Sequence, residues 1–403
     1  MSEPPRVIVA SVGWTGHLYP ALALGRALQA AGHDVLLESF EERRGIAEEL
    51  GFRFQPAVEQ IAFGPEPAPP SAPDLASAAR DLTAVIADFR PGVVVTDMWT
   101  LAPALAAELA GVPRATLIPH PYPVREPGLP LYPLGLLPPR TPIGRAAWRA
   151  AWPIVGTRLP NTRLGAVRRD LDATRRDLGL PALGDYDGQV SDQLALVATF
   201  PQLEYPRRWP GSVHVTGPMT FERPHPDVEL PPGDEPLVLV ASSTERDPGH
   251  ELAAATLEAL ADEPVRVVVA LNRRGSSWPG RVPANALVHD WVSYSQLIPA
   301  ASVVICHGGH GTISRSLAAG VPVIVSPRAG DMAENGARVA WFGAGLMLPQ
   351  RLLGARALGA AVRRLLSDPG FAARAGEAAA WARDNDGAET GARLVGELAR
   401  VPA

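Results

Sequence analysis

Lysine is missing from all 403 residues, so the 37 strongly basic side chains are arginines, set against 42 aspartates and glutamates. With a net charge of −5 the chain has no broad cationic field, which speaks against nucleic acid as a partner. Cysteine is nearly missing too. Cys306 stands alone, which rules out an intramolecular disulfide and any cysteine-based metal cluster and suits a reducing cytoplasm. Long apolar runs are also lacking: none reaches the ~18 residues of a membrane span. No charged segment with a long apolar core precedes the first strand, so a cytoplasmic protein without stable membrane insertion is expected.

What is present is punctuation. The 43 prolines and 38 glycines follow no period and gather in a few loops, as expected of long shaped loops on a regular scaffold. A hydrophobic share of 46% over this length supports two cores, hence two domains of roughly 200 residues. Residues 217–236 have a linker composition, with Pro226, Pro231 and Pro232 among several charges. That places a first domain at 1–216, a second at 237–385 and a C-terminal helix within 386–403.

Both halves begin with the same local pattern. Arg6 to Val12 reads as a strand, Gly13 to His17 as a turn, and Ala21, Leu24 and Leu28 as one buried helix face. A strand from His33 to Glu38 completes a βαβ unit. His17 then sits at the carboxyl end of the first strand. A second apolar strand, Gly92 to Thr96, ends in Asp97. Neighbouring parallel strands can bring Asp97 to His17, where a carboxylate would fix the imidazole tautomer and raise its basicity, as a general base for a hydroxyl requires. The alternative for Asp97 is an N-cap of the helix at Leu101, and one residue can serve both ends.

In the second half, strands are expected at Leu237 to Ala241, Val265 to Leu271, Ala286 to Trp291, Val303 to Cys306 and Val321 to Ser326. The fourth runs into His307-Gly308-Gly309-His310-Gly311-Thr312. Glycines there let backbone approach a ligand, and the helix start that follows attracts phosphate. Without a ligand the same string is a tight strand-to-helix turn. Two Rossmann-like parallel α/β sheets facing a cleft is the architecture implied. Phe63, Tyr122 and Tyr132 in the proline-rich loops of the first half, Trp148 shortly after them and Trp14 in the first turn either line an apolar acceptor pocket or pack the loops down.

Trp291, His307 to Thr312, Gly320-Val321-Pro322, Pro327, Asp331 and Asn335 together resemble the donor-binding signature of the family 1 nucleotide-sugar glycosyltransferases. Gly16-His17 with Pro20 resembles the acceptor-side motif of the same family, and within it the likeness is to bacterial enzymes that glycosylate natural products. The resemblance implies a GT-B fold and an inverting transfer with no metal and no cofactor beyond a UDP- or dTDP-linked sugar as co-substrate. By the same resemblance His17 is the base and Asp97 its orienting partner. Trp291 and Val292 flank the nucleotide base, Ser243, His307 and the N–H groups around Gly309, Gly311 and Thr312 hold the diphosphate, and His310 either touches the sugar or phosphate or is a solvent-facing loop residue. Asp331 accepts from sugar hydroxyls. Arg315 stands where many relatives have a ribose-binding glutamate, which makes a dTDP-sugar plausible beside a UDP-sugar. Met332 replaces a common glutamine, which would suit a sugar poor in hydroxyls. The partners implied are that donor and an apolar small-molecule acceptor, for a monomer or homodimer. Rival readings are a GT-B nucleotide-sugar epimerase and a non-catalytic relative that activates a partner transferase.

Overall fold

The computed structural model describes residues 4–58, 74–158, 171–181, 190–223, 225–243, 247 and 249–400. Phe63, the proline run up to residue 73, and the side chain of Trp152 lie outside the described residues, as does most of the arginine-rich stretch after Thr162.

The first half is a seven-stranded parallel sheet. Its strands are β1 (Arg6–Ala10), β2 (Asp34–Ser39), β3 (Arg53–Pro56), β4 (Val93–Asp97), β5 (Arg114–Ile118), β6 (Leu194–Val197) and β7 (Val213–Val215), in the order β3-β2-β1-β4-β5-β6-β7. The second half is a six-stranded parallel sheet of β8 (Leu237–Ala241), β9 (Arg266–Ala270), β10 (Ala286–His289), β11 (Val303–Cys306), β12 (Val323–Val325) and β13 (Gly345–Met347), in the order β10-β9-β8-β11-β12-β13. The central strands read as near-continuous Val, Ile and Leu because helices cover both sheet faces and no residue points to water. β4, β8, β11 and β12 are buried along their whole length.

Helices complete the layers: α1 (Thr15–Ala30), α2 (Arg44–Glu49), α3 (Leu75–Phe89), α4 (Leu101–Leu109) and α5 (Pro142–Arg158) in the first half. In the second half come α6 (Glu251–Leu260), α7 (Tyr294–Ala300), α8 (His310–Ala318), α9 (Met332–Phe342), α10 (Ala355–Ser367) and α11 (Pro369–Asp384). The last helix, α12 (Gly387–Leu398), belongs to the core of the first half. Its Ala392 and Val395 join Leu22, Leu24 and Leu28 of α1 and Val7 and Val9 of β1. Each fully buried leucine there contributes about 1.5–3 kcal/mol of transfer free energy. Gly391 permits the close approach, since a Cβ on it would lie 2.7 Å from Met219 and 3.1 Å from Leu24.

In each sheet the chain runs outward from the centre, returns, and continues on the other side. The reversals fall between β1 and β4 and between β8 and β11. Such switch points open a crevice at the carboxyl ends of the strands, where open α/β sheets bind ligands. Both crevices face one cavity.

Candidate active site in the interdomain cleft

The cavity, about 360 Å³, is lined from both halves. On the first side, the Gly13 turn carries the chain from β1 to His17 in the first turn of α1. β4 pairs with β1 from Val93 to Thr96, so Asp97 emerges next to that turn. His17 Nδ1 and Asp97 Oδ2 are 2.7 Å apart, and the aspartate side chain is fully buried. Asp97 Oδ1 accepts from the backbone N–H of Trp99 at 2.8 Å, which fixes the carboxylate plane. The carboxylate can only accept, so Nδ1 carries the hydrogen and Nε2 is the basic nitrogen of the ring. Asp97 also organises the start of α4 through its backbone carbonyl, which accepts from the Thr100 hydroxyl at 2.9 Å.

On the second side, β11 delivers His307 and the glycine turn. Gly308 has φ +93, and a Cβ on it would lie 2.8 Å from the Met332 carbonyl, so this position requires glycine. Gly309 caps α8 with no side-chain cap, no acidic residue lies in the first turn, and the space beside Gly309 is open. An uncapped nine-residue helix aims its first N–H groups and its positive dipole end at the cavity.

His307 is wired differently from His17. Its Nδ1–H donates to the Ser326 carbonyl at 3.1 Å and its Nε2–H to Asp247 Oδ2 at 2.9 Å. Both ring nitrogens are thus engaged by oxygen acceptors. Burial works against the charge on Asp247, but the bond from His307 and the N–H groups of Glu251 and Leu252 hold its carboxyl below the ordinary aspartate range.

The chain matches the family described as "Erythromycin biosynthesis protein CIII-like, C-terminal domain" over residues 254–395. It is 29% identical to the 4'-demethylrebeccamycin synthase of Lentzea aerocolonigenes, over 91% of this chain and 93% of that one. It is 28% identical to the O-mycaminosyltylonolide 6-deoxyallosyltransferase of Streptomyces fradiae, over 98% of both. Among solved structures, the glycosyltransferase of kitacinnamycin superposes with a TM-score of 0.76 at 25% identity, over 99% of this chain and 100% of that one. The chain has the GT-B fold of that solved structure and resembles the bacterial natural-product glycosyltransferases.

The cleft brings together Trp14, His17, Ser243, Trp291, Val292, His307, Gly309, His310, Gly311, Thr312, Arg315, Asp331 and Met332. Trp291 lies beneath the Arg274 guanidinium, 5.0 Å from the ring centre. Arg315 donates to the Phe221 carbonyl in the segment joining the two halves, and burial pushes its guanidinium down. Glu222, next along that segment, accepts from the N–H groups of Tyr294 and Ser295 at 2.6 and 2.9 Å. Sequence reasoning passed over Glu222, which lies 72 residues from its partner.

The acceptor-side aromatics are divided. Tyr132 stacks on His120 at the cleft, ring centres 5.5 Å apart, with its hydroxyl 3.2 Å from Nδ1. Tyr122 packs away from it against Trp209 and under Arg207, and Trp148 Nε1 is bound to the Leu129 carbonyl at 2.8 Å. None of the three lines the cavity, and Tyr132 meets it only through His120.

A buried ion cluster joins the halves behind these loops. Arg338 of α9 binds Glu334 one turn back and Glu204 of the first half, each at 2.9 Å. Glu204 also takes the Tyr122 N–H at 2.7 Å, and Glu334 the Gly135 N–H at 3.1 Å. Burial raises both carboxyls above the usual range while Arg338 pulls them down. Breaking such a cluster strands a buried charge, so α9, which starts beside Asp331, is held against the loop that carries Tyr132.

Among the described residues no group of three or more His, Cys, Asp or Glu is placed to hold a metal. No described helix is long and apolar enough to cross a membrane. Cys306, buried in β11, has its thiol pushed up to about 12 by burial, which leaves it unreactive.

Proposed function

We propose that the chain is an inverting, metal-independent hexosyltransferase. It would move a sugar from a UDP- or dTDP-linked donor to a hydroxyl of an apolar natural product. The observation that carries this reading is the 2.7 Å contact of His17 with buried Asp97, opposite an uncapped helix terminus in the same cavity. His17 Nε2 takes the acceptor's O–H proton as the oxygen attacks the anomeric carbon. The bond from that carbon to the phosphate oxygen breaks, and the nucleoside diphosphate leaves with the electron pair. The resulting imidazolium stays beside Asp97. The growing negative charge on the diphosphate is met by the N–H groups of Gly309 to Thr312, where charge stabilisation acts on the transition state more than on the ground state. Trp291 and Val292 flank the base, Ser243 adds a hydroxyl to the phosphates, and Asp331 accepts from the sugar. His307 gives its Nε2–H to a phosphate oxygen in exchange for Asp247, while Nδ1–H stays on Ser326. Arg315 offers donors and no acceptor for the ribose hydroxyls, which supports a deoxyribonucleotide beside a ribonucleotide.

The names of the two relatives above support a natural-product acceptor. The test is the product's anomeric configuration, read by NMR after incubation of α-linked UDP- and dTDP-sugars with macrolide and phenolic acceptors. A β-linked product is expected. An α-linked product, or sugar rearrangement without any acceptor, overturns the reading.

A further inference from the structure

His120 follows β5, which pairs with β4 so that Leu117 lies opposite Asp97. It therefore stands at the same sheet edge as His17, their ring centres 6.3 Å apart, and both rings line the cavity. The His120 side chain is almost fully buried, 5% of the residue being exposed. Its Nδ1–H is fixed on the Pro121 carbonyl at 2.8 Å, and the Tyr132 oxygen shares that hydrogen at 3.2 Å. Burial pushes the imidazole below its ordinary range, against a weaker upward pull from the Asp331 carboxylate. A neutral ring with Nδ1 protonated has a lone pair on Nε2. Among the described residues Nε2 has no hydrogen-bond partner.

The surroundings share that polarity. His310, across the seam, donates Nε2–H to the Ala198 carbonyl at 3.2 Å, which leaves Nδ1 as an unpaired buried acceptor. Asp331 is an acceptor as well, and its charge is felt by His120, His310 and Tyr132 alike. Acceptors from both halves thus lie between the helix terminus of α8 and His17, and His120 Nε2 is the one among them that faces the cavity with no bond from the described residues, where a ligand's hydroxyl would find an acceptor.

We propose that His120 is a sugar-specificity residue whose Nε2 accepts a hydrogen bond from a ring hydroxyl of the transferred sugar, so that the site favours a hydroxylated sugar over the analogue lacking that hydroxyl. This rests on the glycosyltransferase reading above. It runs against the expectation from Met332 of a sugar poor in hydroxyls: the acceptor lost with glutamine on the donor side is supplied from the other half. Tyr132 is a positioning residue, because its stacked ring and phenol oxygen hold the imidazole edge.

The test is a cycle of substrate deletion and mutation. UDP- and dTDP-glucose are compared with their 2-, 3-, 4- and 6-deoxy counterparts by kcat/KM on wild type, His120→Phe and His120→Gln. In wild type at least one deoxy position should lower kcat/KM by about 10- to 100-fold, because the missing hydroxyl strands a buried acceptor. His120→Phe keeps the stacking ring but not the acceptor, so the same deletion should have little effect in it. His120→Gln, with an amide oxygen near the place of Nε2, should restore the discrimination. Nucleoside diphosphate affinity, read by calorimetry, should be alike in all three proteins. A wild type indifferent to every deletion overturns the proposal without any variant being needed, and so does an equal deletion effect in wild type and folded His120→Phe. If wild type binds neither UDP nor dTDP, the reading of the cleft itself fails instead.

Discussion

The two sides of the cleft use the same parts to different ends. Each ends a central strand in a glycine turn, sets a histidine at the carboxyl edge and buries an aspartate against it. On the first side Asp97 takes one nitrogen of His17 and the ring's lone pair is turned to the other, so the pair is arranged to gain a proton. On the second side Asp247 and the Ser326 carbonyl take both nitrogens of His307, so the ring can only donate. The Ser326 carbonyl that holds His307 Nδ1 comes from just past β12, directly beside β11, and the Trp99 N–H holds the other oxygen of Asp97.

The comparison is broken most severely by changing the first aspartate. Asp97→Asn should turn the His17 tautomer over and lower kcat by about 10³-fold while nucleotide affinity holds, as steady-state kinetics and calorimetry on one preparation would show. The same change at Asp247 should act on stability instead, removing about 1.5–3 kcal/mol in denaturant unfolding with little change in turnover at saturating donor. If Asp247→Asn proved the slower enzyme, the assignment of sides would be reversed.

A smaller effect sharpens the boundary between the sides. Burial, aided by His120 nearby, pushes His310 down to about 4, whereas in the unfolded chain it takes up a proton near 6.5. Its contribution to stability is fully present above pH 6.5 and is lost as pH falls through about 4, amounting to no more than about 3 kcal/mol. His310→Gln should therefore flatten the fall in Tm between pH 6.5 and 4. A fall as steep as in wild type would mean that the ring is not buried against the seam.

Much of this was legible in the sequence where strand and turn are adjacent. Val303 to Cys306 followed by His307 and its glycines, and Arg6 to Ala10 followed by His17, place their histidines by local rules alone. β5 was missed because only five residues separate Pro113 from Pro119, yet it sets His120 at the edge just as β1 sets His17. The helix α5 was hidden in the same way by the proline-rich run before it, although Pro142 sits at its first position, where the missing N–H has no partner to lose. Asp74, which accepts from Ser77 N–H at 2.7 Å, was the overlooked start signal of α3. Asp247 could not be found locally, since it meets His307 across 60 residues. The Glu204–Arg338–Glu334 cluster was half visible: Glu334 and Arg338 have helical i, i+4 spacing, but Glu204 arrives from the other sheet.

The central claim, that His17 acts on the proton and His307 on the nucleotide, is tested most directly by measuring kcat and nucleoside diphosphate Kd for His17→Ala and His307→Ala side by side. His17→Ala should lose about 10²- to 10⁴-fold in kcat with Kd near that of wild type. His307→Ala should show the larger rise in Kd. Equal effects of both variants on both quantities would contradict the account.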